Sequence, residues 1–259
     1  QDPLPFAPTQ TEDAPMTHKK LSLALVAALL AAPMLASAQD EAAEPAAEEE
    51  SSIYSWNAAL TSDYVFRGVS QTDEEPALQL GADLNFDSGF YVGVWGSNVD
   101  FGDGSPDIEI DTYIGWNADL SSSWNFDIQL NRYNYIGEDD DFGDGDYNEL
   151  ITSFTWDETI SLTYGYTNDV YALGETGQYF GASGSWDMGN GVGLDLSVGK
   201  STFDRSTGIE DYKDWSVGIN RDFGFVNVAL GYYDTDSEGD FNFGDAADDR
   251  IVLTFSIGG

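Results

Sequence analysis

The sequence predicts an all-β chain, an antiparallel up-and-down transmembrane β-barrel of about twelve strands. Three observations predict it. Apolar side chains recur at every second position in run after run from Tyr54 to Ile257. The connections between runs alternate strictly between long and short, and aromatic residues gather at the run ends. Period two marks a strand whose two faces meet different surroundings. Long and short connections alternating through an even number of strands are the layout of a barrel with tight turns at one end and loops at the other. A secreted β-sandwich or β-helix shows the same period but needs neither the alternation nor two aromatic bands.

The first residues carry no strand signal. Gln1 to Pro15 has four prolines and no periodicity, and reads as an unstructured upstream segment. Met16 starts a second pattern. His18, Lys19 and Lys20 lead into the apolar run Leu21 to Ala32, and Ala36-Ser37-Ala38 is a small-residue cleavage site. Residues 16–38 are therefore expected to be a secretory signal peptide cut after Ala38, since the run is too short to span a membrane as a helix. No Cys follows it, which excludes a lipoprotein anchor. Residues 39–52 are Ala, Glu and Pro without a large apolar side chain, an acidic flexible linker.

The barrel is expected over 53–259. Ile53 to Phe66 is the first strand, with Tyr54, Trp56, Ala58 and Leu60 on one face, and Arg67 to Pro76 is a long connection. Ala77 to Val99 is a hairpin. Leu78, Leu80, Ala82 and Leu84 alternate with Gln79, Gly81, Asp83 and Asn85, and Asp87-Ser88-Gly89 is the tight turn. After the Gly/Asp-rich Asp100 to Asp107, Ile108 to Ala118 and Trp124 to Leu130 alternate on either side of Ser121-Ser122-Ser123. Acidic Gly137 to Asp146 leads to Leu150–Trp156, the turn Asp157-Glu158, and Ile160–Tyr166. Asn168 to Gly177 is long. Gln178 to Trp186 is the least marked strand, because Ala182 and Gly184 dilute its apolar face. Val192–Val198, Trp215–Ile219, Val226–Tyr232 and Ile251–Ile257 complete the set, with Asp234 to Asp249 the longest loop. Phe86, Phe90, Trp124, Trp156, Trp186 and Phe223 fall beside short turns. Tyr64, Phe66, Tyr133, Tyr135, Tyr166 and Tyr232 fall beside long loops. Two such girdles suit two lipid interfaces.

Composition narrows the function. The chain carries 9 basic and 47 acidic residues, a net charge of −38. Asp2, Glu12, Asp13, Lys19 and Lys20 fall in the leader, so 44 acidic and 7 basic residues follow it. Nucleic acid is excluded as a partner, because phosphate binding needs a basic footprint. There is no Cys, and the one His is His18. The mature chain thus has no Ser–His or Cys–His arrangement, and it is not expected to be an enzyme.

Ser62-Asp63-Tyr64-Val65-Phe66-Arg67-Gly68-Val69-Ser70-Gln71-Thr72, followed by Pro76-Ala77-Leu78-Gln79 and Gly89-Phe90-Tyr91, resembles the opening signature of the TorF family of porin-like proteobacterial outer-membrane proteins. The resemblance covers Ile53 to Gly259 and implies an outer-membrane channel without enzyme activity. One departure is the ending, Phe255-Ser256-Ile257-Gly258-Gly259, where many such barrels end on an aromatic residue; Phe255 is the nearest here.

Strand parity assigns pore-lining residues. Asp83, Glu109, Asp111, Asp119, Asp127, Glu149 and Asp195 fall on the interior face, with Arg67 and Arg250 near the loop rim, while Lys200, Lys213 and Arg221 point outward. Asp63 and Arg67, four apart, share the lumen face. They form either an ion pair at the channel mouth or a rim pair that only holds the first loop. Asp234-x-Asp236-x-Glu238-Gly239-x5-Asp245 nearly matches a calcium loop, with Glu and Asp standing where the template wants Asp or Asn and Glu. The expected function is passive diffusion of small polar solutes, cations preferred, across the outer membrane of a Gram-negative bacterium. Both termini are then periplasmic, membrane lipid surrounds the barrel, and no cofactor is needed. The rival is a non-conducting barrel whose acidic loops bind calcium or a partner protein.

Overall fold

The computed structural model describes residues 53–139, 143 and 145–259. The upstream segment, signal peptide and acidic linker expected before residue 53 lie outside the described residues. Twelve antiparallel strands form a closed barrel, running in sequence order around the ring. They are β1 (Tyr54–Thr61), β4 (Ala77–Asn85), β5 (Phe90–Asn98), β6 (Ile108–Ser121), β7 (Trp124–Ile136) and β8 (Tyr147–Trp156). The second half is β9 (Ile160–Thr167), β10 (Gly177–Asp187), β11 (Val192–Phe203), β12 (Tyr212–Phe223), β13 (Val226–Thr235) and β14 (Arg250–Gly258). Each strand pairs with its sequence neighbour, and β1 pairs with β14 to close the ring. The diluted strand at Ala182 and Gly184 is full length as β10.

The barrel is apolar outside and polar inside. Leu78, Leu80, Ile114, Leu130, Leu162, Val198 and Ile251 are exposed on the outer wall, whereas Ser97, Asn131, Ser197, Ser216 and Thr254 are buried within. A wall of this polarity is stable in hydrocarbon, where all backbone polar groups are satisfied by the closed ladder. Among the described residues no helix is long and apolar enough to cross a membrane.

Three sequence expectations need correction. The first strand stops at Thr61 rather than Phe66. Residues 62–76 leave the wall and fold into the lumen as a small hairpin, β2 (Val65–Phe66) paired with β3 (Val69–Ser70). Its two-residue turn has Arg67 at φ 50° and Gly68 at φ 83°. Two left-handed residues at a tight turn match the natural twist of a hairpin. The strict alternation had hidden this break, because both segments share the period.

The second correction concerns the aromatic band at the long-loop end. Tyr64 and Tyr133 are buried inside the barrel, and Tyr135 hydrogen-bonds the lumen carboxylate of Glu109. Phe66 packs in the plug, whereas Tyr166 and Tyr232 keep the outward face, Tyr166 exposed and Tyr232 half-buried beside Val217 and Ile251. The short-turn band is intact, with Phe86, Phe90, Trp124, Trp156, Trp186 and Phe223 all exposed on the outer wall. Third, the longest connection is structured: it holds α1 (Ser237–Phe243) and a 3-10 turn at Gly244–Ala247.

Candidate functional site: a plugged acidic lumen

Every sequence-assigned lumen residue lies on the inner wall or on the loop that enters it. The interior divides into a filled half under the long loops and a polar half toward the short turns.

Arg67 sits at the tip of the infolded hairpin and reaches the wall opposite β1. One guanidinium nitrogen, Nη2, donates to both oxygens of Glu149, at 2.9 and 2.8 Å. The Tyr133 hydroxyl donates to Glu149 Oε2 at 3.0 Å. The guanidinium also lies over the rings of Tyr179 and Phe66, 4.2 and 4.6 Å from their centroids. Arginine suits such a cage, being planar, weakly hydrated and able to stack while it hydrogen-bonds. Burial works against its charge, but Glu149 and then the surrounding phenols outweigh that, holding its pKa above the usual arginine range. The recess beside it, lined by Arg67, Tyr147, Glu149 and Tyr171, has a volume of about 10 Å³, room for a single water.

The expected Asp63–Arg67 pair does not form. Once the chain leaves the strand at Thr61, spacing by four no longer keeps two side chains on one face. Asp63 instead pairs with Arg250 at 3.0 Å and accepts hydrogen bonds from Ser70 Oγ at 2.7 Å and Thr72 Oγ1 at 2.9 Å. Arg250 in turn donates to the carbonyls of Asp245 and Asp248. Both predicted basic residues therefore fix the first loop rather than standing free at a mouth.

Two glycines make space for the plug. A methyl group at Gly165 of β9 would stand 2.6 Å from Glu149 Oε1 and 3.1 Å from Arg67 Nη2. At Gly68 it would meet Thr235 of β13 and Asp214 of β12 at 2.6 and 2.8 Å, at a φ that already disfavours a side chain. Gly165→Ala is expected to lower stability by ~1–3 kcal/mol through overpacking. Thermal unfolding of the refolded barrel checks this, and an unchanged midpoint would mean that the pair shifts freely.

The half toward the short turns is lined by hydrogen-bonded acids and amides. Asp83 accepts from Tyr113 at 2.6 Å, and Asp127 from Tyr91 at 3.0 Å. Asn125 donates to Asp119, and Ser185 and Asn220 donate to Asp195. These side chains are partly exposed, so water reaches them. Glu109 and Asp111 stand near the long-loop end of β6, with Asn131 beside them on β7.

Sequence reasoning missed Asp214, which is buried on the inner wall of β12 and accepts from Tyr179 at 3.3 Å. Its signal was present, since it stands between outward Lys213 and Trp215. It also missed the inward tyrosines Tyr147, Tyr179 and Tyr212, whose ring size suits a lipid interface and a filled lumen equally. Lys200 and Lys213 are exposed as expected, paired with Asp211 at 2.9 Å and Asp236 at 2.7 Å. The calcium-like loop is not gathered around one point. Asp236 is held by Lys213, Asp234 accepts from Tyr232 and from its own neighbour's amide, and Glu238 lies in α1. Among the described residues, no group of three or more His, Asp or Glu side chains is assembled to hold a metal ion.

A closed twelve-strand barrel, apolar outside and polar within, defines the porin-like class of β-barrel folds. Within that class the chain belongs to Gcw_chp, a family of bacterial proteins of unknown function, whose family model matches residues 43–256. Among solved structures, the NanC porin superposes with a TM-score of 0.50 at 6% identity, over 79% of this chain and 97% of that one. The KdgM porin gives 0.45 at 7% identity, over 79% and 96%. OprD from Pseudomonas aeruginosa gives 0.40 at 9% identity, over 82% and 66%. The likeness is one of fold. No curated protein matches the chain.

Proposed function

We propose that the chain is a non-enzymatic, porin-like channel of the Gram-negative outer membrane, as the TorF resemblance implies, passing small polar solutes and favouring cations. Its short turns and both chain ends face the periplasm in this reading. The observation that carries it is the contrast between walls: an apolar, aromatic-banded exterior around an interior lined by Asp83, Asp111, Asp119, Asp127 and Asp195. Acid-lined passages in a low-dielectric surround concentrate cations. The basic residues inside, Arg67 and Arg250, are each neutralised by a carboxylate.

The reversal potential across a planar bilayer in a salt gradient is expected to report cation preference. Asp111→Asn with Asp127→Asn is expected to reduce it, and 1 M salt to weaken it as screening shortens to ~3 Å. An anion-selective reading, or one indifferent to both substitutions, would overturn the proposal. A specific observation favours a second reading, a non-conducting barrel: the first loop fills the long-loop half. Absence of any conductance from refolded protein would select it.

A further inference from the structure

Three acceptor oxygens on the inner faces of β6 and β7 are buried without a hydrogen-bond partner. Glu109 and Asp111 stand two residues apart on the inner face of β6. Asn131 of β7 donates its amide to Asp111 Oδ2 at 2.8 Å. Tyr135 donates to Glu109 Oε1 at 3.2 Å. Glu109 Oε2, Asp111 Oδ1 and Asn131 Oδ1 remain buried with no hydrogen-bond partner. Glu109 and Asn131 are each only 2% exposed. Arg67, the guanidinium of the plug, is taken up by both oxygens of Glu149.

Simple remedies do not satisfy the cluster. A proton on one carboxyl converts one orphan acceptor into a donor, but an amide oxygen gains no proton. Turning the amide over sets its oxygen against the Asp111 carboxylate. A water donates only two hydrogen bonds and brings no charge. Buried carboxylates without pairing are costly, and buried charges are normally paired or bind metal.

We propose that Glu109, Asp111 and Asn131 form an intraluminal site for a calcium ion. The donors are all oxygen, which selects a hard cation. One divalent ion balances the two carboxylates. Calcium accepts irregular sets of oxygens, whereas magnesium demands octahedral geometry and keeps its waters, which an enclosed wall does not accommodate. Tyr64, on the first loop, faces the same carboxylates. An ion here thus sits against the plug as well as the wall. The site is distinct from the calcium-like loop at Asp234 to Asp245 and does not require that the lumen conduct.

The test uses refolded full-length barrel in detergent, stripped with chelator and titrated with calcium, read by thermal unfolding and calorimetry. Saturable binding of one ion with a raised unfolding midpoint is expected. Glu109→Gln and Asp111→Asn should each weaken affinity by ~10-fold or more. Both should leave the calcium-free protein no less stable, since each removes a buried unpaired charge. Asn131→Asp, which adds a carboxylate, should tighten binding and covers the case in which the other variants fold poorly. Asp236→Asn should change nothing. No saturable response, equal affinity for magnesium, or a response kept in Asp111→Asn and lost in Asp236→Asn would each overturn the assignment.

Discussion

Replacing Arg67 with Met is expected to destabilise the folded barrel by ~3–5 kcal/mol, because breaking a buried pair leaves an uncompensated charge. Glu149 has a side chain 2% exposed, and without Arg67 the donor left to it among the described residues is the Tyr133 hydroxyl. Glu149→Leu strands the guanidinium in the same way, among Tyr179 and Phe66. The double substitution is expected to cost much less than the two single ones together, since an apolar pair of similar volume often replaces a buried ion pair without loss. Urea unfolding of the four proteins closes the cycle. Single losses below ~1 kcal/mol would place this pair among surface ion pairs in strength. Channel conductance provides a second reading. Freed from Glu149, the first loop loses its far anchor, so Arg67→Met is expected to raise conductance if the loop is what narrows the passage.

Leu80→Arg is expected to impair membrane insertion, while Gln79→Arg one position earlier is tolerated. Leu80 is exposed on the outer wall, paired laterally with Ala58 and Gly96. In lipid an Arg at mid-depth on that face costs ~2–4 kcal/mol. Gln79 points into the acidic interior, where a cation meets carboxylates and water. Folding yield into lipid vesicles, followed by band shift, compares the two. Equal yields would mean that the outer wall does not face hydrocarbon.

The wall of this barrel was legible in the sequence because period two leaves one answer for each residue. Leu80 and Gln79 fall on opposite faces by counting alone, and the turn at Asp87-Ser88-Gly89 fixes the register of its hairpin. Asp83, Asp127 and Asp195 were placed in the lumen by the same count. The plug was not legible. Tyr64 and Phe66 continue the even-numbered apolar face of β1, so nothing local reports that the chain has left the wall. What decides it is tertiary: a carboxylate at Glu149 and a bare wall at Gly165, both far along the chain. The tyrosines misled for a related reason. A phenol is at home at a lipid interface, and equally inside a wet protein where its hydroxyl finds a carboxylate. Tyr133 and Tyr135 face inward by their own strand's parity, and that count outranks the general preference of their side chains for strand ends.

The seam between β1 and β14 ties assembly to sealing. Asp63 stands two residues past the end of β1, and Arg250 opens β14, so the two meet through the pairing that joins the first strand to the last. They are 187 residues apart, a closure that comes at the end of any stepwise addition of hairpins. Until then the first loop lacks its anchor at the seam, however well Arg67 finds Glu149. An unfinished ring is therefore also an unlocked one, and the same event that removes the last free sheet edges fastens the plug beside it.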